Sequence, residues 1–274
     1  MYYRHNLDYK YPERSDEHMI TVKHLRDTHF DEHYQYLPKG FWHKFKRVCL
    51  WIIMNLIVFP VCTIRHGVKI HGRKKFKKYK KEFKDGAITI ANHVFMWDYI
   101  CVLKAIRPIL QYHVGWKTNF EGPNGPLIRF VGGIPIPTDN MRAMVKFNKA
   151  IEEVLKSKKW LHFFPEGSMW FYYPDIRPFK KGIFKYSVKF NKPIIPITMS
   201  FRPRKGIAKW FGKTPFVDVN IGDALYPDTS LPMADAIDKI HSEAYHVMQV
   251  MNGINPGDPT YNTDQNIENY KKTM

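Results

Sequence analysis

Apolar and polar positions along the chain change period repeatedly, and each change predicts an element. Residues 48–64, VCLWIIMNLIVFPVCTI, form one long apolar run interrupted by Asn55 and Pro60. Downstream, short apolar stretches alternate with helix-period stripes. GVKIH, AITIAN, LQYHVGW, IPIP, WLHFF, PIIPITMSF and FVDVNIG predict strands. KKFKKYKKEF, WDYICVLKAI, PLIRFVG, NMRAMVKFNKAIEEVLKSK, GIFKYSVKF and MADAIDKIHSEAYHVMQVM predict helices. In KKFKKYKKEF, the spacing puts Phe76, Tyr79 and Phe83 on one face. In the long helix over 140–158, Met141, Met144, Phe147, Ile151, Val154 and Leu155 make an apolar stripe suited to core packing. The prolines of PIIPI suit an edge or strand-entry position. Alternating strands and helices predict an α/β architecture, a mixed sheet flanked by helices.

The chain divides by pattern into four stretches. Residues 1–47 are polar, rich in His and Tyr, and predict an extension with short helical pieces. Residues 48–64 are the hydrophobic helix, residues 65–251 the α/β domain, and residues 252–274 a polar, loosely ordered tail. The apolar run sits at the short edge of a spanning length, and basic residues flank both of its ends. A buried core helix, a single span and a helix lying in a membrane face all remain open, and the pattern favours the last.

Charge changes this picture more than composition does. The 274 residues carry 43 basic and 25 acidic side chains, a net charge of +18. Residues 65–84 alone hold ten Lys or Arg and one Glu. Such a balance predicts an anionic partner. Cys49, Cys62 and Cys101 form no CxxC pair and no disulfide framework, which suits a reducing compartment. The polar start predicts no cleaved signal peptide.

Candidate chemistry lies at the ends of predicted strands. His93 and Asp98 bracket NHVFMWD. Within one helix, five residues would turn them roughly 140° apart, so they can meet only if the chain turns between them. His93 ends a strand-like run and Asp98 begins a helix-like one, which permits that turn. The pair alone fits an ordinary helix-capping aspartate beside a strand-end histidine better. FPEGS at 164–168 follows the strand WLHFF and delivers a carboxylate and a hydroxyl to a sheet edge, where α/β proteins bind ligands. GGIPIP at 132–137 allows close backbone approach.

In this order and spacing, NHVFMWD, GGIPIP, FPEGS and PIIPI resemble the glycerolipid acyltransferase family, nearest to the 1-acylglycerol-3-phosphate (lysophosphatidate) acyltransferases. The resemblance covers residues 66–225 and extends to GVKIHG, GPNGPLIRFVGG and RPFKKGIFKYSVKF. It implies the glycerolipid acyltransferase fold, and transfer of a fatty acyl group from acyl-CoA or acyl carrier protein to a lysolipid hydroxyl in phospholipid biosynthesis. His93 would be the general base and Asp98 its orienting partner. Glu166, Gly167 and Ser168 match the family's acceptor-binding turn, and Lys117 a lysine near the acceptor phosphate. Neither a metal nor a redox cofactor is implied. Two usual arginines are replaced, by Thr138 and Met169, which weakens lysophosphatidate as the acceptor. Arg142, Arg177, Lys180 and Lys181 are the candidates to compensate. The alternatives are an O-acyltransferase acting on a different lysolipid or lipid alcohol, and a non-enzymatic basic membrane- or nucleic-acid-binding protein.

The basic run and the apolar helix together predict attachment to anionic headgroups at the cytoplasmic face of a membrane, peripheral or single-pass. The same basic surface could dock acyl carrier protein. No nucleic-acid module accompanies the run, so nucleic acid is not the expected partner. The aromatic run at 169–174, MWFYYP, suits an acyl path, a lipid contact or a plain core cluster.

Overall fold

A computed structural model describes residues 7, 9–23, 26–138 and 140–253 of the chain. The tail expected at 252–274 therefore lies, from residue 254 onward, outside the described residues.

The apolar run belongs to a helix longer than the run itself, Phe41–His66. It is built of α1 (Phe41–Ile53), a π-helical turn (Met54–Val58) and α2 (Phe59–His66). The π turn lies just before Pro60, which has no N–H to donate back and whose ring crowds the preceding turn. Asn55 stays satisfied by bonding the Trp51 carbonyl at 2.8 Å. Gly67 ends the helix in the left-handed region at φ 57°, with the Phe216 ring packed where a Cβ would stand.

The domain that follows is a seven-stranded sheet with helices on both faces. Its strands are β1 (Lys69–His71), β2 (Ile88–Ala91), β3 (Tyr112–Trp116), β4 (Gly133–Ile136), β5 (Leu161–Phe163), β6 (Ile194–Arg202) and β7 (Phe216–Ile221). The spatial order is β1-β7-β6-β2-β5-β3-β4, and only β6–β7 is antiparallel. Successive side chains of β2 serve opposite faces, as strand geometry requires. Ile88 and Ile90 pack with α7 (Met141–Lys156), α8 (Phe184–Phe190) and α9 (Met233–Met251). Ala87 and Ala91 pack with α2, α3 (Arg73–Glu82) and α4 (Asp98–Ile106). Two short helices, α5 (Lys117–Glu121) and α6 (Gly125–Phe130), fill the stretch between β3 and β4.

The predicted elements are present, with four differences. The residues described between 7 and 40 contain turns but no helix. They bond the domain instead: the Arg26 backbone N–H donates to the Glu121 carbonyl at 2.8 Å, and its guanidinium reaches the carbonyls of Phe120, Glu121 and Gly122. The helix starts at Phe41, ahead of the expected 48, because Trp42, Phe45 and Arg47 continue its amphipathic pattern. Met141 is 82% exposed, outside the α7 core stripe of Phe147, Ile151, Val154 and Leu155. It lies roughly 120° around the helix from the stripe's centre, and Ala143 and Ala150 complete that stripe in its place. Finally, Pro196 sits inside a central strand rather than at an edge. Its carbonyl accepts from Gly222 N–H, so its nitrogen faces the β7 side. There the ladder is already broken, between the Ile197–Ile221 pair and the isolated Ile194–Leu225 bridge, and no donor is missed.

Ile151 is fully buried in the α7 face of the core. Ile151→Ala should cost about 2–5 kcal/mol in urea unfolding, through lost transfer energy and the cavity left behind. Val145→Ala on the exposed side of the same helix should stay within about 0.5 kcal/mol.

Candidate active site

The parallel order β2-β5-β3-β4 brings the carboxyl ends of four strands to one edge. His93 follows β2, the 164–168 turn follows β5, Lys117 begins α5 directly after β3, and Thr138 follows β4. Neighbouring strands lie about 4.8 Å apart, so segments far apart in sequence meet along a short rim.

His93 and Asp98 meet across the turn their spacing demanded. Asp98 is the first residue of α4, and its N–H closes a turn onto the Phe95 carbonyl at 3.0 Å. The His93 Nδ1 lies 2.5 Å from Asp98 Oδ2. Asp98 is buried, and its other oxygen accepts the Tyr99 N–H at 2.6 Å. A carboxylate so placed accepts an Nδ1–H, which leaves Nε2 as the basic nitrogen. The His93 side chain is 21% exposed, and its ring stacks on Phe164 with 4.0 Å between centroids. Asn92 anchors the end of β2 by a double bond to the Met199 backbone, donating to its carbonyl and accepting from its N–H.

The Glu166 carboxylate lies under the histidine. It is 1% exposed and accepts three N–H groups: His93 backbone at 3.0 Å, Arg177 backbone at 3.0 Å, and Arg177 Nη2 at 2.7 Å. Arg177 is equally buried. Its Nη1 donates to Ser168 Oγ and the Ser15 carbonyl, and its Nη2 also reaches the Ser168 carbonyl. Glu166, Ser168 and Arg177, expected to contact the acceptor, are thus engaged with one another beneath the rim. Gly167 does lie on the rim, at φ 79°, with the exposed Lys180 draped where its Cβ would be. Of the other expected cations, Arg142 pairs with Glu32 at 3.7 Å and Lys181 with Asp238 at 2.8 Å. Lys117, which begins α5, and Lys180, beside Gly167, stand at the rim itself.

Residues 9–19 cross the 169–174 run as a strap that the sequence did not reveal. Tyr11 bonds the Phe171 carbonyl and stacks on Trp170 at 5.5 Å, while Trp170 Nε1 donates to the Glu17 carbonyl. The aromatic run is therefore a packed cluster under this strap. His18 stacks on Trp116 at 3.8 Å. Desolvation first, then the charges of Lys180, His93 and Arg177, hold its imidazole below the usual range.

Behind His93 lies a buried polar cluster, also missed in the sequence because each member sits in an apolar-looking strand. Thr89 Oγ1 bonds Gln111 Oε1 and His162 Nδ1, both at 2.8 Å. Gln111 Oε1 only accepts, so the hydroxyl hydrogen goes there and His162 Nδ1–H donates to Oγ1. His113 packs against Tyr99 with 3.8 Å between rings. Burial pushes the His113 pKa down to about 3, aided by Arg47 and His93, and holds His162 well below the histidine range.

Residues 67–200 match the acyltransferase family. No curated protein matches the chain. Among solved structures, the chain is similar to the 1-acyl-sn-glycerophosphate (LPA) acyltransferase PlsC from Thermotoga maritima. The two are 17% identical with a TM-score of 0.52, over 79% of this chain and 85% of that one.

Two outcomes follow from these buried groups. Below pH 6.5 an unfolded histidine takes a proton, whereas folded His113 stays neutral down to about pH 3. Stability should therefore fall as pH drops through that window, by about 1.4 kcal/mol per pH unit for this residue. His113→Gln should flatten the acid limb by that slope in urea titrations at stepped pH. Glu166→Ala should cost about 3–5 kcal/mol, because it strands the Arg177 charge, and a Glu166→Ala/Arg177→Ala double variant should lose less than the sum.

Proposed function

We propose that this chain, whose residues 67–200 match the acyltransferase family, moves a fatty acyl group from a thioester to a lysoglycerolipid hydroxyl at a membrane face. The observation that carries the proposal is the His93–Asp98 contact of 2.5 Å, on a rim that also holds Lys117 and Lys180. An alcohol attacks poorly until a base takes its proton. In this reading His93 Nε2 accepts the acceptor's hydroxyl proton while its oxygen bonds the thioester carbonyl carbon. Asp98 keeps the imidazole in register and stabilises the imidazolium. Collapse of the tetrahedral intermediate breaks the C–S bond, and the imidazolium proton goes to the departing sulfur. The products are an ester and a free thiol, with no metal or redox cofactor called on.

In this reading Glu166 and Arg177 act as positioning residues, because they bond the His93 backbone from below. Lys117 and Lys180 would face an acceptor phosphate, which supports a lysophosphatidate-type acceptor. Thr138 and Met169 support the alternative, a different lysolipid or lipid alcohol, because neither offers the planar double grip of an arginine. Acyl-CoA and acyl carrier protein both remain candidate donors, and the exposed lysines of α3 suit either polyanion.

The helix Phe41–His66 supports a monotopic placement. One side is docked: Lys104 Nζ bonds the Phe59 carbonyl, and Arg47 bonds the carbonyls of Leu110 and Gln111. The other side exposes Phe41, Trp42, Val48, Ile52, Leu56, Ile57 and Ile64. A helix held along one flank by a water-soluble domain fits a membrane face better than a lipid-surrounded span.

Thioester consumption tests the chemistry. His93→Ala should lower turnover by about 10²–10⁴-fold. Wild-type activity in that variant would sink the mechanism. A panel of lysophosphatidate, other lysolipids and lipid alcohols, each with acyl-CoA and acyl carrier protein, should show turnover with a phosphate-bearing acceptor. Preference for an uncharged alcohol would move the assignment to the alternative.

A further inference from the structure

The loop between β6 and β7 exposes large apolar side chains that the catalytic reading leaves unused. It contains a 3₁₀ segment, Gly206–Phe211, on which Ile207 is 71% and Trp210 87% exposed. Trp210 is the most exposed of the large apolar side chains described. From Arg202 to Val217 the chain carries Arg202, Arg204, Lys205, Lys209 and Lys213, and no acidic residue. Lys205, Lys209 and Lys213 are all exposed.

The base of the loop is held firmly, so the exposure belongs to a fixed shape. Arg204 Nε bonds the Thr214 carbonyl at 2.7 Å, and its guanidinium packs over the Phe216 ring at 4.4 Å. Arg202 bonds the Val217 carbonyl and Asp218, and reaches the Gly67 carbonyl. Arg204 Nη2 also donates to the Arg65 carbonyl at 3.0 Å, in the last turn of α2. That bond places the loop beside the end of the docked helix where Ile64 is 81% exposed. The neighbouring His66 ring packs on Phe95 and Trp97, in the turn that joins His93 to Asp98, and Met96 of that turn is 59% exposed.

From this continuity we propose that the 203–213 loop is a second membrane-insertion element. Ile207 and Trp210 enter the interfacial layer of an anionic bilayer, and Lys205, Lys209 and Lys213 bind its headgroups. The proposal rests on the membrane placement of the Phe41–His66 helix and extends it. Tryptophan prefers the headgroup boundary, where the ring is desolvated and the indole N–H can still bond. Each lysine near an anionic surface adds about 1 kcal/mol of attraction. A helix alone fixes one line on the membrane and leaves the domain free to roll about it. A second contact beside the helix end removes that roll and holds the His93 turn at the lipid surface, where a lysolipid hydroxyl would reach it.

The full chain and vesicles of phosphatidylglycerol with phosphatidylcholine test this. The chain has seven tryptophans, so the emission of Trp210 is taken as the wild-type spectrum minus that of Trp210→Phe. On vesicle binding this difference should shift to the blue and be quenched by lipids brominated high on the acyl chain. Ile207→Ser/Trp210→Ser should weaken vesicle partitioning by about tenfold or more with an unchanged thermal midpoint, as both side chains are exposed. Lys205→Ala/Lys209→Ala/Lys213→Ala should reduce the preference for anionic over neutral vesicles, and an unreduced preference would remove the lysines from the proposal. A solvent-like Trp210 difference spectrum on a chain that does bind vesicles would overturn the loop's role and leave the helix reading standing. A wild-type chain that binds no vesicles would overturn both. A fall in solution mass in the Ile207→Ser/Trp210→Ser variant, with vesicle binding intact, would assign the patch to a second copy and overturn the proposal.

Discussion

The Glu166 carboxylate is the point on which the arrangement depends. It sits with almost no exposure and accepts N–H groups from His93 and, twice, from Arg177. Three segments end there: the exit of β2, the exit of β5, and the returning stretch that carries Arg177 and Lys180. A buried carboxylate is tolerable only if its oxygens are filled and its charge is matched, and here both conditions hold. The same demand fixes the geometry. The His93 backbone cannot move without taking a hydrogen bond from the buried carboxylate, so the imidazole meets Asp98 from a prepared position. Arg177 then extends the network to Ser168 and the Ser15 carbonyl, which ties the N-terminal strap to the site.

The polar apparatus sits close to an apolar exterior. The flank of the Phe41–His66 helix that does not touch the domain is lined with large apolar side chains, and the helix end packs on the turn between His93 and Asp98. The basic 203–213 loop lies beside that helix end. The lysolipid acceptor proposed above, with a polar head and a long chain, would match such a juxtaposition.

Much of the fold was legible in the sequence because strands and helices announce themselves by period. AITIA, WLHFF and FVDVN read as strands, and the stripe of Phe147, Ile151, Val154 and Leu155 reads as a helix face, since each period reflects one buried side. The exceptions have local causes. Met141 looked like part of the stripe because a simple apolar count cannot see that Ala143 and Ala150 face inward instead. Pro196 looked like an edge residue because the break in the β7 ladder is made by residues 222–224, far along the chain. The strap at 9–19 has no period of its own; its bonds run from backbone carbonyls to side chains some 150 residues away, and such carbonyls carry no sequence signal.

The sequence by itself determined the α/β class, the position of each strand end, and the requirement that His93 and Asp98 meet across a turn, because these follow from local period and rotation per residue. Only the tertiary structure decided how the charged residues divide. Glu166 and Arg177 pair with each other under the histidine, and Arg142 and Lys181 pair with Glu32 and Asp238. Lys117 and Lys180 stand at the rim. That division depends on which residues the strand order β2-β5-β3-β4 brings within bonding distance, and on the large cost of burying a charge unmatched. Both are properties of the assembled sheet, which no stretch of the chain carries alone.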